Sequence, residues 1–444
     1  MAAPDVIVVG AGFAGLSAAV RLARRGARVL VVEERRRLGG RASAFVDPGT
    51  GEAVDNGQHA LFGCYHETFA FLRDIGAEGD VRLEERLDLE IVDRGGQRSR
   101  LTSASLPPPL HLVAGLLRWP ALAWSDKVAA LRAGLALRRL AGSDRVRDGS
   151  DRQTVTEWLR AHGQTPRLSE VLWEPLAVAA LNQSPHVAAA GPFVEVLARM
   201  FNGSRRDSAI GLPVKPLDEL YAEPARRWLE DAGHQFRIGA PARLLVDRAG
   251  AIGVEIDGER IMAGHVVSSV PWFAFPAFAA SVPALADLSA SAGAMRASPI
   301  VTVNLWLDRA VTDAPFIGLP GRTFQWVFDK GRLFGEAWSH LSLTSSGAED
   351  SVGWTNDALI AHARRELAEA LPAAASASVL RATAVRERRA TFSLAPGQPP
   401  RPDAETPVQG LFLAGDWTNT GLPATIEGAV ASGHRAAELA ASRP

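Results

Sequence analysis

Gly10, Gly12 and Gly15 stand at the spacing Gly-x-Gly-x-x-Gly, and an acid, Glu33, follows about 20 residues on. Those residue types suit the binding of a dinucleotide. Gly10 permits a tight turn, Gly12 lets backbone N–H groups approach a pyrophosphate, and Gly15 lets a helix pack closely on a sheet. Glu33 offers its carboxylate to both hydroxyls of an adenosine ribose and repels a 2′-phosphate. The elements that must position these residues come in the required order. Val6-Ile7-Val8-Val9 reads as a strand, and Leu16 to Arg25 as a helix whose N-terminus attracts phosphate. After Gly26, Val29-Leu30-Val31-Val32 reads as a second strand that ends in Glu33. Phe13 and Ala14 lie in the same turn and belong to the same site.

Residues just beyond Glu33 imply a longer cofactor than NAD. Leu38-Gly39-Gly40-Arg41 comes too soon after Glu33 for another crossover helix, and can bring backbone amides and a guanidinium onto a diphosphate. Far along the chain, Gly410-Leu411-Phe412-Leu413-Ala414-Gly415-Asp416-Trp417 is another strand-to-turn element. It leads through Thr425-Ile426-Glu427-Gly428 into a last helix that runs to about Leu439. A second helix N-terminus aimed at the cofactor suits a flavin, whose pyrimidine edge gains negative charge on reduction. The expected cofactor is FAD.

With 444 residues, 47% of them hydrophobic, the chain has material for two or three lobes around a large core. A net charge of −1 gives no support for nucleic-acid binding. The single cysteine, Cys64, excludes an internal disulfide and fits a reducing compartment. The chain opens almost directly on its first strand, leaving no room for a secretory signal, so a cytoplasmic location is expected. The longest apolar tract, Val270 to Ala286, is broken by Pro271, Pro276 and Pro283, so no transmembrane helix is evident. His59, Cys64 and His66 lie close together without a second ligand cluster, and no metal is expected.

Asp55-Asn56-Gly57-Gln58-His59 closes a short strand at Ala53-Val54 that is set against the cofactor. Residues 81–92 partly alternate apolar with charged, as in a half-buried strand, and Pro107-Pro108-Pro109 marks a change of register. Residues 110–205 read as helical. Thr154 to Glu157 is a capping box, and Ser184-Pro185 is placed at the start of the helix that ends near Met200. Pro216 starts another helix, stopped by Gly233. Strands are expected at Gln235–Ile238, Ala242–Asp247, Ile252–Ile256 and Arg260–Val270, with a second sheet from Ile300–Leu307 and Phe324–Phe328. A helix spans 357–372, and the chain returns to the nucleotide core at Gln409–Ala414.

Both termini and the 235–272 region resemble the FAD-binding core of the amine oxidase and carotenoid desaturase superfamily. The Asp55-to-His59 segment, Gly63-Cys64-Tyr65, Trp173-Glu174-Pro175-Leu176 through Asn182, and Gly421 to Gly428 more narrowly resemble the hydroxysqualene dehydroxylase family, squalene-associated FAD enzymes of bacterial hopanoid pathways. The resemblance implies an α/β fold: a Rossmann-like FAD-binding domain of the glutathione-reductase/amine-oxidase type with an inserted α+β substrate lobe. The FAD-binding domain takes residues 1–80, 206–280 and 391–444, and the lobe takes 81–205 and 281–390. Implied FAD contacts are Gly10, Gly12, Phe13, Ala14, Gly15, Glu33, Gly40, Arg41, Gly57, Gln58, His59, Gly415, Asp416, Thr425 and Ile426. The adenine-side position, usually valine in the superfamily, falls on Ala242, a departure from the pattern.

The implied reaction replaces the hydroxyl of an allylic isoprenoid alcohol by hydrogen, which needs a dry cavity and a proton donor. A cavity is expected beside the flavin between residues 170–205 and 55–66, with Phe193, Val196, Leu197, Met200, Phe201, Trp173 and Leu176 as apolar material, although helix packing alone needs such residues too. Catalytic candidates are His59, Gln58 and Glu174, with Tyr65 a further donor. Against these roles, His59 also reads as a hydrogen-bonded structural histidine and Glu174 as a helix-surface carboxylate. Glu427 reads as orienting the last flavin loop. Residues 110–140 combine Leu112, Leu116, Trp119, Trp124, Val128 and Leu135 with Arg118, Lys127, Arg132, Arg138 and Arg139. That fits a helix lying on the inner face of an anionic membrane, and also helices packed on the lobe with a solvated basic face. A carotenoid- or phytoene-type desaturase and a flavin amine oxidase remain open, as does a non-catalytic prenyl-binding escort protein. The oligomeric state is not legible.

Overall fold

The computed structural model describes residues 3–140, 152–247, 249–336 and 339–442. Strand β1 (Val6–Val9) is buried at every position, as a run of β-branched residues inside a parallel sheet must be. The glycine turn is tighter than its sequence implied. Helix α1 runs Phe13–Arg24 rather than from Leu16, so Phe13 and Ala14 form its first turn. After β2 (Val29–Glu33) come the antiparallel pair β3 (Ala44–Val46) and β4 (Ala53–Asp55), then β5 (Leu61–Phe62) and α2 (His66–Asp74).

The stretch 81–92 is two strands rather than one. β6 (Val81–Leu83) and β7 (Asp88–Val92) enter different sheets, because the intervening Glu84-Glu85-Arg86 puts consecutive charges where only a solvated bend can hold them. β8 (Arg98–Thr102) forms a hairpin with β7. Helices then dominate: α3 (Leu110–Arg118), α4 (Trp124–Leu140), α5 (Val155–Ala161), α6 (Glu174–Leu181) and α7 (Ala190–Asn202). The capping box of α5 is formed, with Glu157 N donating to Thr154 Oγ1 at 3.2 Å and Thr154 N to Glu157 Oε2 at 2.8 Å. Ser184-Pro185 does not open α7. The N–H groups of Ala189 and Ala190 are taken by Leu394 O and Gln153 O, which hold the chain extended until the helix begins.

Beyond β9 (Ile210–Pro213), a wide helical turn at Asp218–Ala222 continues into α8 (Glu223–Asp231). Then come β10 (Gln235–Ile238), β11 (Ala242–Val246), β12 (Ile252–Ile256), β13 (Glu259–Ala263) and β14 (His265–Ser268). The expected strand Arg260–Val270 is therefore broken at Gly264, where the chain leaves one sheet for another. The second half holds β15 (Ala297–Leu307), β16 (Phe316–Gly318), β17 (Trp326–Asp329), β18 (Ser339–Ser346), α9 (Asn356–Ala370), β19 (Val379–Phe392), β20 (Leu411–Leu413) and α10 (Ile426–Ala441).

Two sheets organise these elements. A parallel sheet in the order β10-β2-β1-β14-β20 joins strands from the start, middle and end of the chain. A seven-stranded sheet in the order β19-β15-β18-β17-β16-β7-β8 stands beside it. β11, β12 and β13 form a separate antiparallel sheet. Helices α1 and α10 cross at closest approach where a Cβ on Gly433 would lie 2.2 Å from Ala14 O. A buried ion pair, Lys330 Nζ to Asp55 Oδ2 at 3.0 Å, ties the end of β17 to the end of β4.

Candidate functional site

A cavity of about 780 Å³ runs along the ends of β1 and β2 and past the N-termini of both α1 and α10. Gly10 has φ +101°, and a Cβ there would meet Ser269 Oγ at 2.5 Å. A Cβ on Gly15 would lie 1.9 Å from Gly10 O, so Gly15 seats the helix on the turn and does not itself line the cavity. Gly12 caps α1 with no side chain, which leaves first-turn N–H groups facing the cavity as free donors. Opposite stands Gly40, at φ +58°. Glu33 is buried beneath, its Oε2 accepting from Ala11 N at 2.8 Å and its Oε1 from Arg35 N at 2.9 Å. Each oxygen keeps a lone pair for a ribose hydroxyl. Phe13, Ala14, Gly57, Gln58, His59, Ala242, Gly415, Asp416, Thr425 and Ile426 all border this cavity. The glycine cradle, the uncapped helix end and the buried carboxylate fit the diphosphate and adenosine ribose of FAD.

Arg41 borders the cavity as expected, but most of its donors point to protein partners. Its guanidinium is held bidentately by Asp416, at 2.5 and 3.0 Å, and also donates to Ala390 O at 2.8 Å. It therefore clamps the Gly39-Gly40 turn to the turn after β20, and its donors are largely occupied. Tyr221, which sequence reasoning gave no role, pins the same turn by donating to Gly39 O at 2.7 Å while stacking on Phe13. Asn56 Nδ2 adds bonds to Arg41 O and Glu387 Oε2. Thr425 caps α10 by accepting from Gly428 N at 3.0 Å. Glu427 accepts from Glu67 N, Thr68 N and Thr68 Oγ1, so it caps α2 rather than reaching the cavity.

A second cavity, about 500 Å³, lies between α3, α4, residues 171–179, the end of α7 and one face of the seven-stranded sheet. Leu112, Leu116, Trp173, Leu176, Met200 and Phe201 give it an apolar wall, and it meets the first cavity at Gln58, Ala60, Tyr65, Ala179, Thr344 and Ser346. Phe193 and Leu197 are fully buried core residues outside its lining, and Val196 is likewise buried outside it. The cavity sits where it was expected, between 170–205 and 55–66.

Titratable groups at the junction divide cleanly. His59 Nδ1 lies 2.6 Å from Gly57 O, a contact that only a donated N–H satisfies, and burial holds the imidazole below its usual pKa. Burial thus favours the uncharged ring, and with Nδ1 donating to Gly57 O the Nε2 of that ring is an acceptor, which weighs against His59 as the proton donor. Glu174 lies in the first turn of α6 and borders neither cavity. Tyr65 borders both, and burial pushes its phenol well above the ordinary range, so it keeps its proton. Beside it, Cys64 is buried with its thiol pushed up to about 12, by burial first and then by Glu427 and Asp207.

Comparison with known proteins matches these features. The family described as flavin containing amine oxidoreductase matches residues 13–441. Hydroxysqualene dehydroxylase of Rhodopseudomonas palustris is 31% identical, covering 98% of this chain and 97% of that one. A 15-cis-phytoene desaturase of Narcissus pseudonarcissus is 27% identical, covering 98% and 79% respectively. Among solved structures, an oxidoreductase from Methanosarcina mazei superposes with a TM-score of 0.76 at 18% identity, covering 98% of this chain and 99% of that one.

Proposed function

We propose, from the premise that this chain belongs to the flavin-containing amine oxidoreductase family and is an FAD-dependent oxidoreductase, that it reduces hydroxysqualene to squalene in hopanoid biosynthesis. The observation that carries this reading is the apolar cavity that adjoins the cofactor cavity and shares its wall, of a size and character for a long isoprenoid. Near-full-length similarity to a hydroxysqualene dehydroxylase supports the choice within that class.

Reduced FAD, when bound, supplies a hydride. The substrate's C–O bond breaks, the hydroxyl leaves as water with one added proton, and the carbon takes the hydride. In this proposal Gly10, Gly12, Phe13, Ala14, Glu33 and Gly40 hold the nucleotide half of the cofactor, Ala242 lies on its adenine side, and Gly15 seats the helix beneath it. Gly57, His59, Gly415, Asp416, Thr425 and Ile426 surround the flavin half. Arg41 fixes the shape of the site through Asp416. Tyr65 presents its phenol proton to the leaving hydroxyl, and the apolar walls exclude water. Residues 1–80, 206–280 and 391–444 form the FAD-binding domain, with 81–205 and 281–390 as substrate lobe.

Leu106, Leu110, Trp124, Val128 and Leu135 are exposed, and Leu110 and Leu135 also line the mouth of the apolar cavity. Arg118 and Arg132 are exposed on the same two helices, while the side chains of Arg138 and Arg139 lie outside the described residues. No helix of the described residues is long and apolar enough to cross a membrane. We propose that this face docks peripherally on an anionic bilayer and admits the substrate from it.

The test is anaerobic. Hydroxysqualene added to the photoreduced holoprotein should restore the oxidised flavin spectrum and yield squalene, and Tyr65→Phe should slow this by about 10²-fold. Bleaching of oxidised flavin by phytoene, with no response of reduced flavin to hydroxysqualene, would assign the protein to desaturation instead. A full rate in Tyr65→Phe removes the phenol as proton source.

A further inference from the structure

Where the two cavities meet, three buried polar side chains have no hydrogen-bond partner among the described residues. Gln58 is 8% exposed, with neither Nε2 nor Oε1 paired; Thr344 is 4% exposed with Oγ1 unpaired; Trp326 is 8% exposed with Nε1 unpaired. Gln58 and Thr344 border both cavities, and Trp326 borders the apolar one. Thr344 and Trp326 are register partners on adjacent antiparallel strands, β18 and β17, so their side chains stand on one sheet face. Elsewhere that cavity is walled mainly by aliphatic and aromatic groups, with Ser103 Oγ, away from the junction, the other unpaired polar atom on its lining among the described residues. Unpaired polar groups in such a setting cost stability and are retained where a ligand pairs them.

We infer that Gln58, Thr344 and Trp326 form a docking site for the hydroxyl of an isoprenoid alcohol, holding it at the flavin end of the apolar cavity. The donor and acceptor inventory matches. An alcohol gives one O–H and accepts from one or two donors. Trp326 supplies a donor, the Gln58 amide a donor and an acceptor, and Thr344 either. A hydrocarbon of the same length would leave every one of these atoms unpaired. The site therefore selects alcohol over hydrocarbon, and because hydride transfer needs the C–O carbon next to the flavin, it also sets which end of the chain reacts. This inference rests on the isoprenoid reading of the same cavity and assigns its polar end.

The experiment is equilibrium binding to oxidised holoprotein, where no reduction occurs, with hydroxysqualene and squalene compared by perturbation of the flavin spectrum. Wild-type protein should bind the alcohol about tenfold or more tightly than the hydrocarbon. Thr344→Val and Gln58→Leu should each remove most of that preference by weakening the alcohol alone, while Thr344→Ser should keep it. Circular dichroism reports whether each variant is folded, flavin content whether it still holds the cofactor, and the two positions lie on separate elements, so loss of one variant leaves the other decisive. Equal affinities in the wild type, or variants that weaken both ligands alike, would overturn the inference. If the alcohol is preferred but never reoxidises reduced flavin, the docking site stands and the proposed reaction falls. If reoxidation proceeds while both variants keep the preference, the reaction stands and this site falls.

Discussion

In the proposed site Glu33 serves both the protein and the cofactor ribose with one carboxylate, whose oxygens two backbone N–H groups already fix. Glu33→Ala should weaken FAD binding by roughly 1.5–3 kcal/mol, the worth of a charge-assisted bond, or about tenfold to a hundredfold. Equilibrium dialysis against free FAD measures this, and unchanged retention would remove the ribose assignment. Residues of this kind were legible because their meaning lies in local spacing: Gly10, Gly12, Gly15 and Glu33 specify a turn, a helix and an acid within one unit. Arg41 was only half legible. Its type and place after Gly40 pointed at the cofactor, but the partner that claims its guanidinium lies 375 residues away. His59 shows the same limit: its position in the site was readable, while its tautomer depends on a carbonyl two residues back that only the folded loop presents.

Among elements, the crossing of α1 and α10 governs the cofactor site, because both helices present their N-termini to the same cavity. The absent side chain at Gly433 is what lets them meet at Ala14. Gly433→Val should force them apart, lowering stability by about 1–3 kcal/mol as overpacking does, and releasing flavin before the protein unfolds. Thermal melts followed in parallel by flavin fluorescence and circular dichroism test this, and coincident transitions at the wild-type temperature would contradict it. Apolar runs such as β1 and β2 announced themselves, whereas β18 and β19 did not. β18 reads Ser-His-Leu-Ser-Leu-Thr-Ser-Ser, with polar side chains on the very face that meets the cavities. β19 carries Arg381, Arg386, Arg388 and Arg389 because it is the sheet edge, where charge guards against further pairing. β18 alternates but its polar face is turned inward to the cavities, and β19 breaks alternation at its charged stretch, each for a reason that lies outside the strand.

For the whole molecule, the two adjoining cavities lie in line between the α3–α4 face and the cofactor site. If that face meets the bilayer, the holoprotein should co-sediment with anionic liposomes, and replacing Trp124 and Leu135 together by Ser should reduce the bound fraction severalfold. Undiminished binding by that double variant would place the contact elsewhere. Discontinuous assembly adds a further property. The parallel sheet needs residues from both ends of the chain, and the buried Lys330–Asp55 pair locks the large sheet to the loop carrying Gln58 and His59. Directly after that loop, Cys64 is sealed in: a Cβ on neighbouring Gly63 would lie 1.8 Å from Arg206 O, and the thiol's elevated pKa leaves almost no thiolate. Because it is the chain's one cysteine, its labelling by a thiol reagent becomes a clock for the opening of this wall. Bound FAD should slow that clock in proportion to its occupancy, so alkylation half-times of apo- and holoprotein report, without any substrate, how often the enzyme unlatches.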